Sequence, residues 1–135
     1  MGYALPAAIG VAFALKKNGI DERVVVICGD GDIQMVIQEL ATLREYDLDI
    51  DVFIINNSQL GIIRQWEETI YDFDRYEVDL NNPDFAKLAD AYGFDSASVV
   101  SKDDLDMAID CALNSKGPFL ADIHVAEENI PMPKK

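Results

Sequence analysis

The chain has 135 residues, half of them hydrophobic and 27% charged, which suits one domain with a single core and is too apolar for a disordered segment. Its 25 Asp and Glu outweigh 11 Lys and Arg, for a net charge of −14; this excludes nucleic acid and anionic membranes as partners, because Lys and Arg must neutralise their phosphates. The opening MGYALPAAIG has no basic segment of a signal peptide, no apolar run approaches the ~18 residues of a membrane helix, and Cys28 and Cys111 are too few for a disulfide framework, so a reduced, cytoplasmic protein is expected.

Ala4 to Lys17 is Ala-rich and apolar on most sides, which predicts a well-buried helix stopped by Gly19. Arg23 to Cys28 (RVVVIC) is β-branched and predicts a buried parallel strand. Ile33, Val36, Ile37, Leu40 and Leu43 recur at helical spacing and predict a helix from Ile33 to Tyr46. Ile50 to Ile55 (IDVFII) is a second buried strand, ended by Asn56-Asn57. Gly61 to Glu68 is read as a short helix and Tyr71 to Asn82 as a polar loop.

The second half alternates in the same way. Asn82 is placed as a helix cap, with Pro83 in the first helical position and Gly93 after the end near Tyr92. Ala97 to Val100 is a short strand, and Ser101 to Asp104 resembles a capping box for a helix ending near Leu113. Phe119 to Val125 is the last strand, and residues 127–135 form a polar, Pro-containing tail beyond a domain of residues 1–126. This alternation predicts an α/β fold, an open and mostly parallel sheet with helices on both faces.

In such sheets ligands bind beyond the carboxyl ends of the strands. Two strand ends carry unusual chemistry: Gly29-Asp30-Gly31-Asp32 after the first strand and Asn56-Asn57-Ser58-Gln59 after the second. Asp30 and Asn57 lie 27 residues apart, close to the ~30 residues of one strand–helix–strand unit, so both ends are expected on one rim. Asp30 offers a charged oxygen, Asn57 an amide oxygen and a nearby turn a carbonyl, a donor set for a hard cation such as Mg²⁺. Glycines allow close backbone approach, and the N-terminus of the following helix offers amide donors to an anion. The set describes a metal-bridged diphosphate site, which would let a strongly acidic chain hold an anionic ligand. Taken singly, Asp before a helix is often only a cap, and Asn-Asn only a turn.

The segments MGYALPAAIG, GDGDIQMVIQELATL, NNSQLGIIRQW and NPDFAKLADAYG together resemble the acetolactate synthase catalytic (large) subunit, in its C-terminal thiamine diphosphate-binding domain. The resemblance spans nearly the whole chain in order. It implies the thiamine diphosphate-binding fold, with thiamine diphosphate and Mg²⁺ as cofactors. It implies metal ligation by the side chains of Asp30 and Asn57 and the backbone carbonyl of Gln59. Gly29, Gly31, Asp32, Met35, Leu60, Gly61 and Ile62 would contact the cofactor, and Met1 would prop it in a bent shape. Trp66 would face the second 2-oxoacid. The implied activity is decarboxylation of pyruvate and condensation with a second 2-oxoacid, in branched-chain amino acid biosynthesis.

Two positions depart from the family pattern. Ile62 stands where methionine is usual, and Asp32 where a small neutral residue is commoner. A second carboxylate beside a diphosphate repels it unless it turns away to cap the helix. The pyrimidine-binding domain that carries the family's activating glutamate has no counterpart here. A partner domain or subunit must therefore supply it, and the chain alone is expected to be inactive. An exposed apolar face and a homo-oligomer are expected for the same reason.

Other readings remain. The chain could serve a two-chain 2-oxoacid decarboxylase, or be a non-catalytic Mg²⁺-binding α/β domain. A receiver-like signalling domain would need a phospho-acceptor Asp at the end of a middle strand and a Lys at the end of the last one, and both are missing. His124 is read as structural, Cys28 as core, and Arg64 as an exposed charge. Tyr71 to Tyr76 is read as a lid or a partner contact.

Overall fold

The computed structural model describes residues 1–131. Four strands, β1 (Val24–Gly29), β2 (Ile50–Asn56), β3 (Asp95–Val99) and β4 (Phe119–His124), form one sheet in the order β1-β2-β4-β3. Every neighbouring pair is parallel, so each connection must cross over a face, which is where the helices lie. Six α-helices are described: α1 (Ala4–Asn18), α2 (Asp30–Gln34), α3 (Leu40–Tyr46), α4 (Gly61–Thr69), α5 (Phe85–Tyr92) and α6 (Lys102–Asn114).

The two faces of the sheet are covered unequally. Val24, Val26 and Cys28 of β1 and Ile50, Val52 and Ile54 of β2 pack with Leu5 and Ile9 of α1, Leu40 and Leu43 of α3, and Phe85 and Ala89 of α5. The opposite face has a smaller cluster, in which Ala108 and Ala112 of α6 cover Val99, Phe119, Ala121 and Ile123. Among the described residues this cluster does not extend to β1, and Ile27 there is 69% exposed. The expectation of a fully buried first strand is thus corrected: alternate side chains of β1 are buried and exposed. Helix α1 is likewise buried on one stripe only, through Leu5, Ala8, Ile9 and Ala12, while Val11 and Phe13 are exposed.

The local signals around the ends of α1 and α6 hold. Gly19 takes a left-handed φ of 64° behind α1, and its amide reaches the Leu15 and Lys16 carbonyls. Ser101 caps α6 by accepting from the Asp104 amide, while the Asp104 carboxylate takes the Ser101 hydroxyl and the Val100 amide.

Three boundaries differ from the sequence reading. The helix expected over residues 33–46 is broken: α2 ends at Gln34, a 3₁₀ turn spans Ile37–Glu39, and α3 follows. The break sits at Val36, whose φ of −135° is not helical; the adjacent β-branched pair Val36-Ile37 weakens helix propensity there. The third strand starts two residues early, at Asp95, and ends at Val99. Asn82 does not cap α5. Asp84 does, its side chain accepting from the Lys87 amide at 3.0 Å. Asp84 competes better because its carboxylate faces the exposed amide three residues on.

At the opposite end of the sheet, Arg23 ties strand to helix. Its guanidinium donates to both oxygens of the buried Asp51, at 2.9 and 3.0 Å, and to the carbonyls of Ala112 and Ser115 at the end of α6. The hydrogen bond to Asp51 raises the Arg23 pKa above its ordinary value. Burial nevertheless pushes the Asp51 carboxyl up, beyond what Arg23 restores. Among the described residues, no helix is long and apolar enough to cross a membrane.

Candidate functional site

Strands β1 and β2 are parallel neighbours with Gly29 opposite Ile55, so their carboxyl ends open on the same rim. A cleft of about 350 Å³ lies there. Met1, Gly29, Asp30, Gly31, Asp32, Asn57, Gln59, Leu60, Gly61 and Ile62 line it, as do Ile63, Gln65, Glu128 and Ile130. Ten positions named from the sequence thus meet in one cavity. Met35 and Trp66 lie outside its lining, both with exposed side chains.

Asp30 begins α2 and is 2% exposed. Its Oδ2 accepts from the Asn82 side-chain amide at 2.7 Å. Among the described residues its Oδ1 accepts no hydrogen bond and no cationic side chain pairs with it. A buried carboxylate without a cation carries a large desolvation cost. Its environment therefore favours a positive ligand arriving from the cleft.

The β2 end supplies neutral oxygens. Asn57 forms a local turn in which its Oδ1 accepts from the Gln59 amide at 3.1 Å. Ser58 adopts a left-handed φ of 56° between them. Leu60 N donates to Val78 O, and Leu80 N to Ser58 O. In this small antiparallel bridge between Gln59 and Asp79, the Gln59 carbonyl has no backbone partner among the described residues. Carboxylate, amide and carbonyl oxygens are the donors a hard cation takes. Among the described residues no three His, Cys, Asp or Glu side chains gather at one point. A cation here would thus complete its shell with water or with oxygens of its ligand.

Two glycines do specific work. A Cβ on Gly31 would come within 2.9 Å of the Leu60 side chain, 3.1 Å of Leu80 and 3.3 Å of Met1. Glycine at 31 lets the two loops and the N-terminal segment close over α2. A Cβ on Gly61 would meet the Asn57 amide at 3.2 Å. Gly29, by contrast, has open space.

Asp32 makes no capping hydrogen bond to α2. Its Oδ1 accepts from the Gly2 amide at 2.6 Å and pins the N-terminal segment beside the cleft. Helix α2 has five residues, so it presents far less of a dipole than the long helix expected there. Cys28 sits just beneath. Burial, with the Asp32 and Asp30 carboxylates nearby, pushes its thiol up to about 12, so it is inert as a nucleophile.

Arg64 is a second correction. It is buried, not exposed, and lies 3.0 Å from Glu68 and 2.7 Å from Glu127. It donates to the Asn129 side chain at 2.6 Å. Beside it, Gln65 donates to the Ile130 carbonyl and accepts from the Ile130 amide. The expected surface tail is therefore strapped along α4, at least through Ile130; residues 132–135 of it lie outside the described residues. His124 is half-exposed, with Nε2 3.3 Å from Asp122 Oδ2.

Residues 1–123 match the model of the thiamine pyrophosphate enzyme C-terminal TPP-binding domain. The chain belongs to that family. Its TPP-enzyme relatives include an acetolactate synthase of Arthrospira platensis, 40% identical over 131 residues, covering 95% of this chain and 22% of that protein. The acetolactate synthase isozyme 2 large subunit of Escherichia coli is 37% identical, over 96% of this chain and 23% of that protein. Among solved structures, a thiamine diphosphate-dependent 4-hydroxybenzoylformate decarboxylase of Rhodococcus jostii superposes with a TM-score of 0.84 at 26% identity, covering 95% of this chain and 24% of that one. The chain spans about a fifth of the length of the curated relatives it matches. The expected resemblance, the parallel α/β fold and thiamine diphosphate as the family's cofactor all hold.

Sequence reasoning missed Asn82 as a neighbour of Asp30, because the Asn-Pro-Asp run reads as a helix start. It missed the tail as part of the cleft wall for want of any local signal.

Proposed function

We propose that this chain is the cofactor-binding half of an acetolactate synthase-like carboligase. It holds Mg²⁺–thiamine diphosphate for decarboxylation of pyruvate and condensation with a second 2-oxoacid. The observation that carries this reading is the buried Asp30 carboxylate, paired with no Lys or Arg among the described residues, sharing one cleft with Asn57 and Gln59. Asp30 Oδ1, the Asn57 amide oxygen and the Gln59 carbonyl would hold the metal, which would in turn bind the diphosphate. Met1, Leu60 and Ile62 line the same cleft and would give the rest of the cofactor an apolar wall. Gly31 keeps that wall close to α2. Once bound, thiamine diphosphate supplies the carbon-centred chemistry, while the protein positions it and sets the local field.

A pyrimidine-binding domain, on a partner subunit or elsewhere in a longer chain, supplies the activating glutamate. The isolated chain is therefore inactive on pyruvate, and the working enzyme is an oligomer. A decarboxylase role is favoured by the fold likeness to the Rhodococcus enzyme, at 26% identity; the synthase relatives reach 41%. Calorimetric titration with thiamine diphosphate tests the reading. Binding should require Mg²⁺ and should vanish in Asp30→Ala; metal-independent binding, or binding unchanged in that variant, would refute it.

A further inference from the structure

Behind Asp30 lies a chain of polar side chains that the cofactor site does not use. Asn82 sits at its centre. One hydrogen of its amide goes to Asp30 Oδ2 at 2.7 Å and the other to Asn56 Oδ1 at 2.8 Å. Its own oxygen accepts from Gln34 at 2.6 Å. Asn56 in turn donates to Asp122 Oδ1 at 2.8 Å. Asn56 and Asp122 are both buried. Asn82 cannot turn without breaking three bonds, and Asn56, which anchors it, is itself held from β4.

We propose that Asn82, backed by Asn56 and Asp122, is a positioning residue that orients the Asp30 carboxylate for its cation. The proposal rests on Asp30 being a metal ligand. The chemistry favours an amide at this place. A neutral donor fixes the carboxylate without neutralising it, whereas Lys or Arg would compete with the metal. With Oδ2 already hydrogen-bonded to Asn82, Oδ1, which accepts no hydrogen bond among the described residues, is the favoured donor to a cation. One-oxygen ligation suits the strict octahedron of Mg²⁺. Ca²⁺ accepts two-oxygen carboxylate binding and looser geometry. The brace therefore acts on the choice of metal as well as on affinity, a role shared by outer partners of metal ligands generally.

The test titrates Mg²⁺ and Ca²⁺ separately into the protein with saturating thiamine diphosphate, for wild type, Asn82→Leu, Asn82→Ser and Asp30→Ala. Both Asn82 variants should lose about tenfold in Mg²⁺ affinity and a clearly smaller factor for Ca²⁺, so that the Mg²⁺/Ca²⁺ preference falls. Circular dichroism should report the same fold without metal. Equal losses for the two metals, no loss, or failure of both variants to fold would each show a purely structural Asn82 and overturn the proposal. If the wild type shows Asp30-dependent binding and the Asn82 variants match it, only the brace fails. If the wild type binds neither metal through Asp30, the cofactor reading fails, and the brace with it.

Discussion

Asp30 and Gly31 show how much one position can decide. Asp30 is buried between a neutral amide donor, Asn82, and an open cleft, and among the described residues no cationic side chain pairs with it. Gly31 is required by apolar neighbours, not by its backbone angles: the space beside its Cα is already filled by Leu60, Leu80 and Met1. Those three are flexible side-chain ends, so a methyl group there displaces them at modest cost. Gly31→Ala is expected to lower stability by only about 1 kcal/mol, the low end for overpacking. The displaced Leu60 and Met1 line the cleft, so cofactor affinity should fall by a larger factor. Thermal melts and calorimetry on the same variant separate the two effects; a large loss of melting temperature with unchanged affinity would contradict this.

At the scale of elements, charged groups do the joining. Arg23 links β2 to the end of α6 through the buried Asp51. Arg23→Met leaves that carboxylate without its partner and should cost about 3 kcal/mol in a urea titration. Adding Asp51→Val should recover part of the loss, because the stranded charge is then gone. Helix α4 depends on the tail in a similar way, its two buried side chains being Arg64 and Gln65. Hydrogen bonding from Gln59, together with Arg75 and Arg64, holds the Glu127 carboxyl below its ordinary value of 4.5. A lowered carboxyl stabilises the folded contact above its unfolded pKa and loses that effect as the pH falls through its folded value. The strap should therefore be ordered at pH 6 and loosen as the pH drops below 4.5, while the sheet persists. NMR relaxation of residues 127–130 would show it, and Arg64→Ala should loosen the strap at both pH values.

For the whole molecule, two properties oppose each other. The net charge of −14 keeps copies apart, while the β1 edge exposes Val25 and Ile27 beside Tyr3 and Val11 of the N-terminal region. Apolar surface of this kind marks a contact that another domain or subunit would cover. Self-association is expected, and it should strengthen as salt screens the repulsion. Sedimentation velocity at low and high salt measures it. Ile27→Lys should weaken the association, and a clean monomer at high concentration and high salt would count against it.

By itself the sequence determined the α/β order, the two strand ends that carry Asp30 and Asn57, the cap at Ser101 and the stop at Gly19. These are local patterns, written in residues a few positions apart, or in strands one crossover apart whose register parallel pairing dictates. Only the tertiary structure decided the rest. Asn82 could have capped α5, but Asp84 caps it and Asn82 turns instead to Asp30, 52 residues away. The sequence pattern places Arg64 in solvent, yet it is buried because the tail folds back 64 residues later to meet it. Half of β1 stays exposed because α6 covers only the other end of its face. Whether a polar side chain caps a helix, braces a ligand or faces water depends on which distant partner reaches it first, and periodicity along the chain does not encode that meeting.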